Sequence, residues 1–248
     1  MEEVVKEDEI RNELEILYRD EHYVAINKPG GLLVHRTRIA EEDKRFALQM
    51  LRNQLGQHVY PVHRLDRQTA GVLVFALNSE AAGKLRQVFD EQQTEKIYLA
   101  VARGYTPEAA TIDNPIKPDK DHQHKEAQDA VTHYRRLATV ELPIAVGRYQ
   151  TARYSLVEIQ PETGRMHQIR KHFAHIRHYL IGDKRHGDWR HNLMFKEQLH
   201  CANMLLLARR LTFVHPYTKQ PVTIQAPLPE YFIDLFNRFG WDKQLADA

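Results

Sequence analysis

The sequence predicts an α+β domain built on a large, mostly antiparallel mixed β-sheet that is flanked by helices and loops. Three observations support this prediction. Strand-like and helix-like segments are mixed along the chain without the regular alternation of a doubly wound fold. Several neighbouring strands are separated only by short turns, which favours antiparallel pairing. The 248 residues, 42% of them hydrophobic, are enough to bury one full core.

Charge and apolar content divide the chain into one domain and two short ends. Residues 1–21 carry nine acidic side chains against three basic ones, and the first dozen residues hold few apolar side chains. We therefore expect an acidic N-terminal extension over residues 1–13, a single domain over 14–240 and a C-terminal tail over 241–248.

The first half of the domain begins with two short strands. Residues 15–27 read as strands on either side of a turn at Arg19-Asp20-Glu21, and the chain then bends at Lys28-Pro29-Gly30-Gly31. Helical spacing of apolar residues predicts two helices, at residues 44–55 and 79–89. One continuous apolar run predicts a buried strand at residues 72–77. Ser79 is the expected N-cap of the second helix.

The second half is richer in strands. The pattern predicts five strands, at residues 97–102, 131–140, 153–159, 211–215 and 222–225. It predicts two helices, at residues 166–177 and 230–239. Residues 113–129 are densely charged and contain prolines, so we interpret them as a surface loop.

Composition excludes several classes of protein. No apolar run approaches the roughly 18–20 residues of a membrane helix, and no charged-then-apolar leader opens the chain. The single cysteine, Cys201, excludes an intramolecular disulfide framework. We expect a cytoplasmic enzyme with no membrane association.

The net charge of +2 conceals an uneven distribution. Residues 163–190 hold seven basic side chains, two acidic ones and five histidines. A basic segment of this size can bind a polyanion such as RNA, although a solvated helix face would show the same charge.

The densest group of polar residues is the segment from His63 to Gly71. Within it, Asp66 lies between Arg64 and Arg67. Nearby positive charge favours the ionised carboxylate, so Asp66 is suited to act as a nucleophile or a base. An ordinary ion-paired loop aspartate would show the same pattern.

A second candidate is the start of the strand predicted at residues 97–102. The two-residue period of a strand places Lys96 and Tyr98 on one face, with Ile97 on the other. A cation and an aromatic ring on one wall suit the stacking of an unpaired RNA base, although Tyr98 could also simply fill core.

The third candidate is the segment from Glu162 to His172. Gly164 permits a turn, and a stripe of apolar residues then follows at helical spacing: Ile169, Phe173 and Ile176. The polar side chains that we place off this stripe are Arg165, Gln168, Lys171, His172 and His175. Arg165 or Arg170 could form a bidentate pair with Asp66.

The histidines do not predict a metal site. His172, His175 and His178 recur every three residues, which spreads them around a helix, and neighbouring cations would repel a metal. We therefore predict that the protein binds no metal.

These motifs, in this order, resemble those of the RluA type of pseudouridine synthase. The similar segments are LEILYRDEHYVAINKPGGLLVHR, HRLDRQTAGVLVFA, EKIYLAVARG, ETGRMHQIRKHFAHIRHYLIGD and LTFVHPYT. The resemblance covers about residues 14–240 and implies the pseudouridine synthase fold with a central active-site cleft. It also implies isomerisation of uridine to pseudouridine without a cofactor, and a monomer.

The resemblance assigns roles to individual residues. Asp66 would be the catalytic aspartate. Tyr98 would contact the base and assist removal of the C5 proton, and Arg165 would pair with Asp66 and orient it. The residues implied in substrate binding are Arg64, in the space left by the flipped nucleotide, Leu206, on the floor of the pocket, and His63, Lys96, His167 and Arg170.

The substrate is expected to be tRNA. The segments GQHVYPVHRLDR and IGDKRHGDWRHN look most like family members that modify uridine 65 in the T stem. A ribosomal RNA substrate, or an RNA-binding domain without activity, remains an alternative, and a metal-dependent hydrolase is a more distant one.

Overall fold

The computed structural model describes residues 13–35, 45–117 and 126–242. Within these residues, ten strands form one sheet with five helices packed against it. The strands are β1 (Ile16–Arg19), β2 (Tyr23–Lys28), β3 (Tyr60–Pro61), β4 (Ala70–Ala76), β5 (Thr94–Arg103), β6 (Ala109–Asp113), β7 (Val131–Leu142), β8 (Ala152–Pro161), β9 (Leu206–Val214) and β10 (Pro221–Gln225). The helices are α1 (Ala47–Leu55), α2 (Ser79–Asp90), α3 (Gln168–His175), α4 (Trp189–Gln198) and α5 (Glu230–Phe239).

The sheet is mixed but mostly antiparallel. Its main order is β1-β2-β4-β9-β5-β8-β7-β6, with β10 paired to β9 and β3 paired to β4. Among the described strands, only β4 and β9 run parallel, through Ala70–Leu207 and Gly71–Ala208. The predicted fold class is confirmed.

Helices cover both faces of the sheet, because the side chains of its central strands are apolar on both sides. On β4, Val72 and Val74 pack in the cluster that contains α2, whereas Leu73 and Phe75 pack in the cluster that contains α1. On β5, Val101 packs in the cluster that contains α4 and α5, whereas Ala100 and Ala102 pack in the cluster that contains α3. Tyr98 touches both the α1 cluster and the α3 cluster.

Most predicted elements are present, with shifted ends. The final helix has the predicted bounds, and β1 and β2 flank the predicted turn. Ser79 is not an N-cap: the side chain of Asn78 accepts the bond from the Ala81 backbone, at 2.8 Å, so α2 begins with Ser79 in its first turn. Helix α3 begins two residues later than predicted, because His167 has a left-handed backbone with φ of 56°.

Other elements were not predicted. The edge strand β6 is largely exposed and lacks an apolar run, and α4 buries only three of its ten residues. Strand β9 begins at Leu206, five residues before the predicted strand, because those residues already pair with β4 and β5. Trp241, which we placed in the tail, is buried against Phe239. Residues 1–12, 36–44, 118–125 and 243–248, which include most of the predicted extension and part of the predicted 113–129 loop, lie outside the described residues.

Candidate active site

A cavity of about 550 Å³ opens beside Tyr98 on the α3 side of the sheet. This volume is within the range of pockets that hold small ligands. All nine site residues predicted from the sequence line it: His63, Arg64, Asp66, Lys96, Tyr98, Arg165, His167, Arg170 and Leu206. The structure therefore brings together side chains from four segments that lie far apart along the chain.

Lys28 holds the loop that carries Asp66 through a hydrogen bond to the Arg67 carbonyl oxygen. The side chain of Lys28 is fully buried, and its Nζ donates to the carbonyl oxygens of Pro29, Leu32 and Arg67 at 2.8–3.0 Å. Gly31 N also donates to the Arg67 carbonyl, at 2.8 Å. Burial lowers the pKa of Lys28 to about 7, against the opposing effect of the Asp66 charge. The turn after β2 thus fixes the backbone that follows Asp66.

Arg170 holds two carboxylates at once. Its Nη1 lies 3.0 Å from Asp66 Oδ2, while its Nε and Nη2 bind the two oxygens of Asp183 at 2.8 and 2.7 Å. Asp183 is only 2% exposed and also accepts bonds from the backbone of Arg185 and His186. Burial alone would favour the neutral acid, but the Arg170 bonds and charge hold the pKa of Asp183 below its usual value. Asp183 therefore orients the guanidinium that binds Asp66.

The predicted pair between Arg165 and Asp66 is not present. Arg165 lies in the turn before α3, is exposed at the wall of the cavity, and donates through Nε to the Asp129 carbonyl at 3.1 Å. Arg170 instead lies in the first turn of α3, is buried, and binds Asp66. The sequence left both arginines open as partners, and the resemblance pointed to the wrong one.

Lys96, Tyr98 and Leu206 form one wall of the cavity. Lys96 and Tyr98 lie on β5, where a bulge between Ile97 and Tyr98 shifts the register against β9, and Leu206 is the first residue of β9. Burial and the nearby Asp66 charge raise the pKa of Tyr98 above its usual value, so the phenol is protonated at neutral pH. Burial lowers the pKa of Lys96.

His63 has a structural partner as well as a place in the cavity. Its Nε2 accepts a hydrogen bond from Val74 N at 3.0 Å, and its ring stacks on Phe89 at 4.7 Å. Burial lowers the pKa of His63 to about 3, helped by the charge of Lys96. A neutral His63 therefore attaches the start of the Asp66 loop to β4.

His167 lies between Asp66 and His186. Its Nε2 is 3.9 Å from Asp66 Oδ1, and its Nδ1 is 2.9 Å from His186 Nε2. Burial lowers the pKa of His186 to about 4. His167 itself has a left-handed backbone, with φ of 56°, immediately before α3.

The start of α3 depends on Gln168, which we expected on the polar surface. Gln168 is buried: its Oε1 accepts from Arg165 N and Thr163 Oγ1, and its Nε2 donates to Val131 O and Thr132 Oγ1. His172, also expected on that surface, is buried against Thr132 and the Asn114 carbonyl. The apolar stripe at Ile169 and Phe173 packs in the core as predicted.

Three residues important for this geometry were absent from the sequence-based site: Lys28, Gln168 and Asp183. Lys28 had a signal, since a lysine at the end of a buried strand must find several acceptors. Asp183 had no comparable signal, because its separation from Arg170 along the sequence does not indicate their contact.

Two further properties of the described residues bear on other chemistry. These residues contain no group of three His, Cys, Asp or Glu side chains placed to hold a metal ion. They also contain no helix that is long and apolar enough to span a membrane.

Asp66 offers a carboxylate to a ligand bound in the cavity. Asp66 Oδ2 is engaged by Arg170, while Oδ1 faces His167 inside the cavity. This arrangement can support nucleophilic attack or proton abstraction by a carboxylate beside an aromatic wall.

The chain is similar to several known proteins. A family model described as RNA pseudouridylate synthase matches residues 22–175. The tRNA pseudouridine synthase C of Vibrio cholerae is 50% identical over 94% of this chain and 98% of its own, and that of Haemophilus ducreyi is 49% identical over 92% and 97%. Among solved structures, Human RNA Pseudouridylate Synthase Domain Containing 4 is 26% identical, with a TM-score of 0.68 over 91% of this chain and 92% of its own. Human RNA Pseudouridylate Synthase Domain Containing 1 is 25% identical, with a TM-score of 0.67 over 88% and 84%.

Proposed function

Because the chain belongs to the RNA pseudouridylate synthase family, we propose that it isomerises uridine to pseudouridine at position 65 in the T stem of tRNA, with Asp66 as the catalytic residue. The choice of tRNA over ribosomal RNA follows the names of relatives that are 46–50% identical over nearly the whole chain. An RNA-binding domain without activity would not need a carboxylate fixed inside a cavity.

The observation that supports this proposal best is the setting of Asp66. Its carboxylate lies in a cavity of about 550 Å³, with Oδ2 bound by Arg170, and Tyr98 and Leu206 line the same cavity. A nucleotide paired inside a stem has to be flipped out before its glycosidic bond can react, at a cost of a few kcal/mol. A preformed pocket with an aromatic and apolar wall offsets part of that cost.

The reaction rearranges one nucleotide. The bond between C1′ of the ribose and N1 of uracil breaks, the uracil rotates, and C5 forms a new bond to C1′. C5 then loses its proton and N1 gains one, so substrate and product have the same atoms and the same oxidation state. Asp66 would act at the ribose, either by attack on C1′ or by removal of a proton at C2′.

The neighbouring residues would hold the base during rotation. Tyr98 is a neutral phenol, which is a poor base, so its part in removal of the C5 proton would be to position the uracil ring. Leu206 would supply the apolar floor. Arg64 is exposed at the cavity wall, where it would fill the space that the flipped nucleotide leaves. Arg170 would keep the Asp66 carboxylate aimed at the ribose.

The test is to map pseudouridine in unmodified RNA after incubation with the purified chain. One reaction contains tRNA transcripts and a second contains ribosomal RNA transcripts. We expect one new pseudouridine, at position 65 of tRNA, and none when that uridine is replaced by cytidine. Product in ribosomal RNA alone would contradict the tRNA substrate, and no product in either RNA would contradict the enzyme activity.

A further inference from the structure

Two large aromatic side chains are exposed on one side of the molecule, and each lies beside an arginine. Trp189, the first residue of α4, is 67% exposed, and the guanidinium of Arg190 lies 5.5 Å from its ring centre. Tyr149 is 53% exposed, and the guanidinium of Arg148 lies 5.1 Å from its ring centre. Large aromatic side chains exposed in one area mark an interaction site more often than scattered single residues do.

The two pairs lie next to each other. The hairpin that joins β7 to β8 ends in a tight turn in which Val146 and Tyr149 exchange backbone hydrogen bonds at 3.0 and 3.3 Å. Gly147, with φ of 63°, occupies a position of this turn where other residues are strained. A Cβ atom at Gly147 would lie 3.8 Å from Arg190 Nη1, so the turn abuts the second pair. We call Arg148, Tyr149, Trp189 and Arg190 the arginine–aromatic patch.

The charge beside the patch is positive on balance. Arg153 lies 5.2 Å from the ring centre of Tyr105, which is 41% exposed, and it pairs with Glu141 at 3.1 Å. Asp188 caps α4 and pairs with Arg103 at 2.8 Å. These two carboxylates are thus each engaged by an arginine, which leaves Arg148 and Arg190 as the cations of the patch itself.

The patch is joined to the catalytic cavity by one short segment. This segment begins at Asp183, which binds Arg170, and continues through His186, which contacts His167 in the cavity. It ends at Trp189 and Arg190. An extended chain spans at most about 3.6 Å per residue, so the patch lies within roughly 25 Å of the residues around Asp66. Lys184 and Arg185, also in this segment, are exposed.

From this geometry we propose that the arginine–aromatic patch is a second contact for the substrate RNA, which binds unpaired bases and phosphates of tRNA outside the T arm. The proposal rests on the proposed function, since it concerns the same RNA. Aromatic faces hold unpaired bases by stacking, and arginine binds phosphates and stacks on bases. A protein partner would instead have to be recognised through its amino-acid side chains. The experiment below distinguishes an RNA partner from a protein partner.

The experiment compares full-length tRNA with a hairpin that contains only the T stem and loop. The variants are Trp189→Ala and the double variant Arg148→Ala/Arg190→Ala, and the matched control is Arg52→Ala, an exposed arginine on α1. Steady-state kinetics gives KM and kcat for each RNA. Filter binding over a range of salt concentrations gives the affinity and its salt dependence.

We expect each patch variant to raise KM for full-length tRNA by about tenfold and to leave kcat unchanged. On the hairpin, both variants should match the native chain. The double variant should reduce the slope of log K against log salt by about 2, and Arg52→Ala should not change it.

Unchanged KM and salt dependence on full-length tRNA would overturn the proposal, and would leave the patch to another class of partner. An equal rise in KM on both RNAs would also overturn it, because the effect would then arise in the cavity or the T arm. Failure of the native chain to form pseudouridine would instead be a failure of the proposed function.

Discussion

Arg170 is the residue on which the geometry of the candidate active site depends most. It binds Asp66 with one nitrogen and Asp183 with two others, and its side chain is almost completely buried. Planar, bidentate contact with a carboxylate requires a guanidinium, which an ammonium cannot replace. The identity of Arg170 therefore matters for the position of Asp66 as well as for its charge.

We expect Arg170→Lys to lower kcat by about 100-fold, because the lysine keeps the charge but cannot bind both carboxylates in one plane. The matched variant Arg165→Lys should raise KM a few-fold and leave kcat nearly unchanged, since Arg165 contacts the Asp129 carbonyl instead of Asp66. Steady-state kinetics of both variants on tRNA provides the measurement. A larger loss of kcat in Arg165→Lys would mean that Arg165, and not Arg170, orients the catalytic carboxylate.

Lys28 predicts a pH dependence of stability. Its folded pKa is about 7, whereas a lysine in an unfolded chain titrates near 10.4. Between these two values the folded chain binds fewer protons than the unfolded chain, so the free energy of unfolding rises with pH through this window. We expect the native chain to gain about 2 kcal/mol from this residue between pH 7 and pH 9.

Lys28→Met removes the titrating group and should lose that gain. Denaturant unfolding at pH 7 and pH 9 measures it, as the difference between the two pH values for each chain. The variant should also be less stable at both pH values, because the carbonyls of Pro29, Leu32 and Arg67 lose a donor. An identical pH dependence in the two chains would show that Lys28 is not responsible.

Individual site residues were predictable from the sequence where a motif carried them. All nine predicted residues line one cavity, because the fold brings the Asp66 loop, strands β5 and β9 and the start of α3 to the same place. Their partners were less predictable. The contact between Arg170 and Asp66 joins residues 104 positions apart, and the left-handed backbone of His167 is set by its surroundings.

At the scale of elements, the parallel contact of β4 with β9 places the Asp66 loop. Gly71, with φ of 111°, lies where β4 meets β9, and a Cβ atom there would lie 2.2 Å from the Ala208 carbonyl oxygen. Strand β4 follows the Asp66 loop directly, so any shift of this contact moves the loop. The close approach of the two backbones requires glycine.

We therefore expect Gly71→Ala to destabilise the protein by more than about 3 kcal/mol and to lower activity in the fraction that folds. Gly83→Ala is the matched control: Gly83 lies inside α2, and a Cβ there meets no atom within 4 Å. It should stabilise the protein by about 0.5–1 kcal/mol, because alanine favours the helix. Chemical denaturation measures both, and a neutral Gly71→Ala would contradict the close packing of β4 on β9.

Elements were predictable where burial gave them a pattern. The apolar run of β4 and the amphipathic α5 were visible, since each buries a continuous or periodic set of side chains. Strand β6 was not, because an edge strand of alanine and polar residues carries no such pattern. Helix α4 was not predicted because its segment is rich in charged and polar residues. Only three of its ten residues, His191, Met194 and Phe195, are buried.

At the scale of the whole molecule, the small net charge of +2 hides a separation of acidic and basic residues along the chain. The acidic residues concentrate in residues 1–21, and the basic ones in residues 163–190, which include the wall of the cavity and part of the arginine–aromatic patch. A moderate net charge with a local basic surface suits selective contact with one RNA rather than general attraction to polyanions. The predictions of a monomer and of a domain over residues 14–240 stay predictions.

The central claim is that Asp66 catalyses the isomerisation of uridine. The most direct measurement is tritium release from tRNA labelled at uridine C5, which follows loss of the C5 proton. It compares the native chain with Asp66→Asn, which removes the charge but keeps the shape, and with the exposed control Asp113→Asn. Circular dichroism of each chain checks that all three are folded.

We predict that the native chain and Asp113→Asn release tritium at the same rate, and that Asp66→Asn is slower by at least about 1,000-fold. Release by folded Asp66→Asn at the native rate would contradict the account.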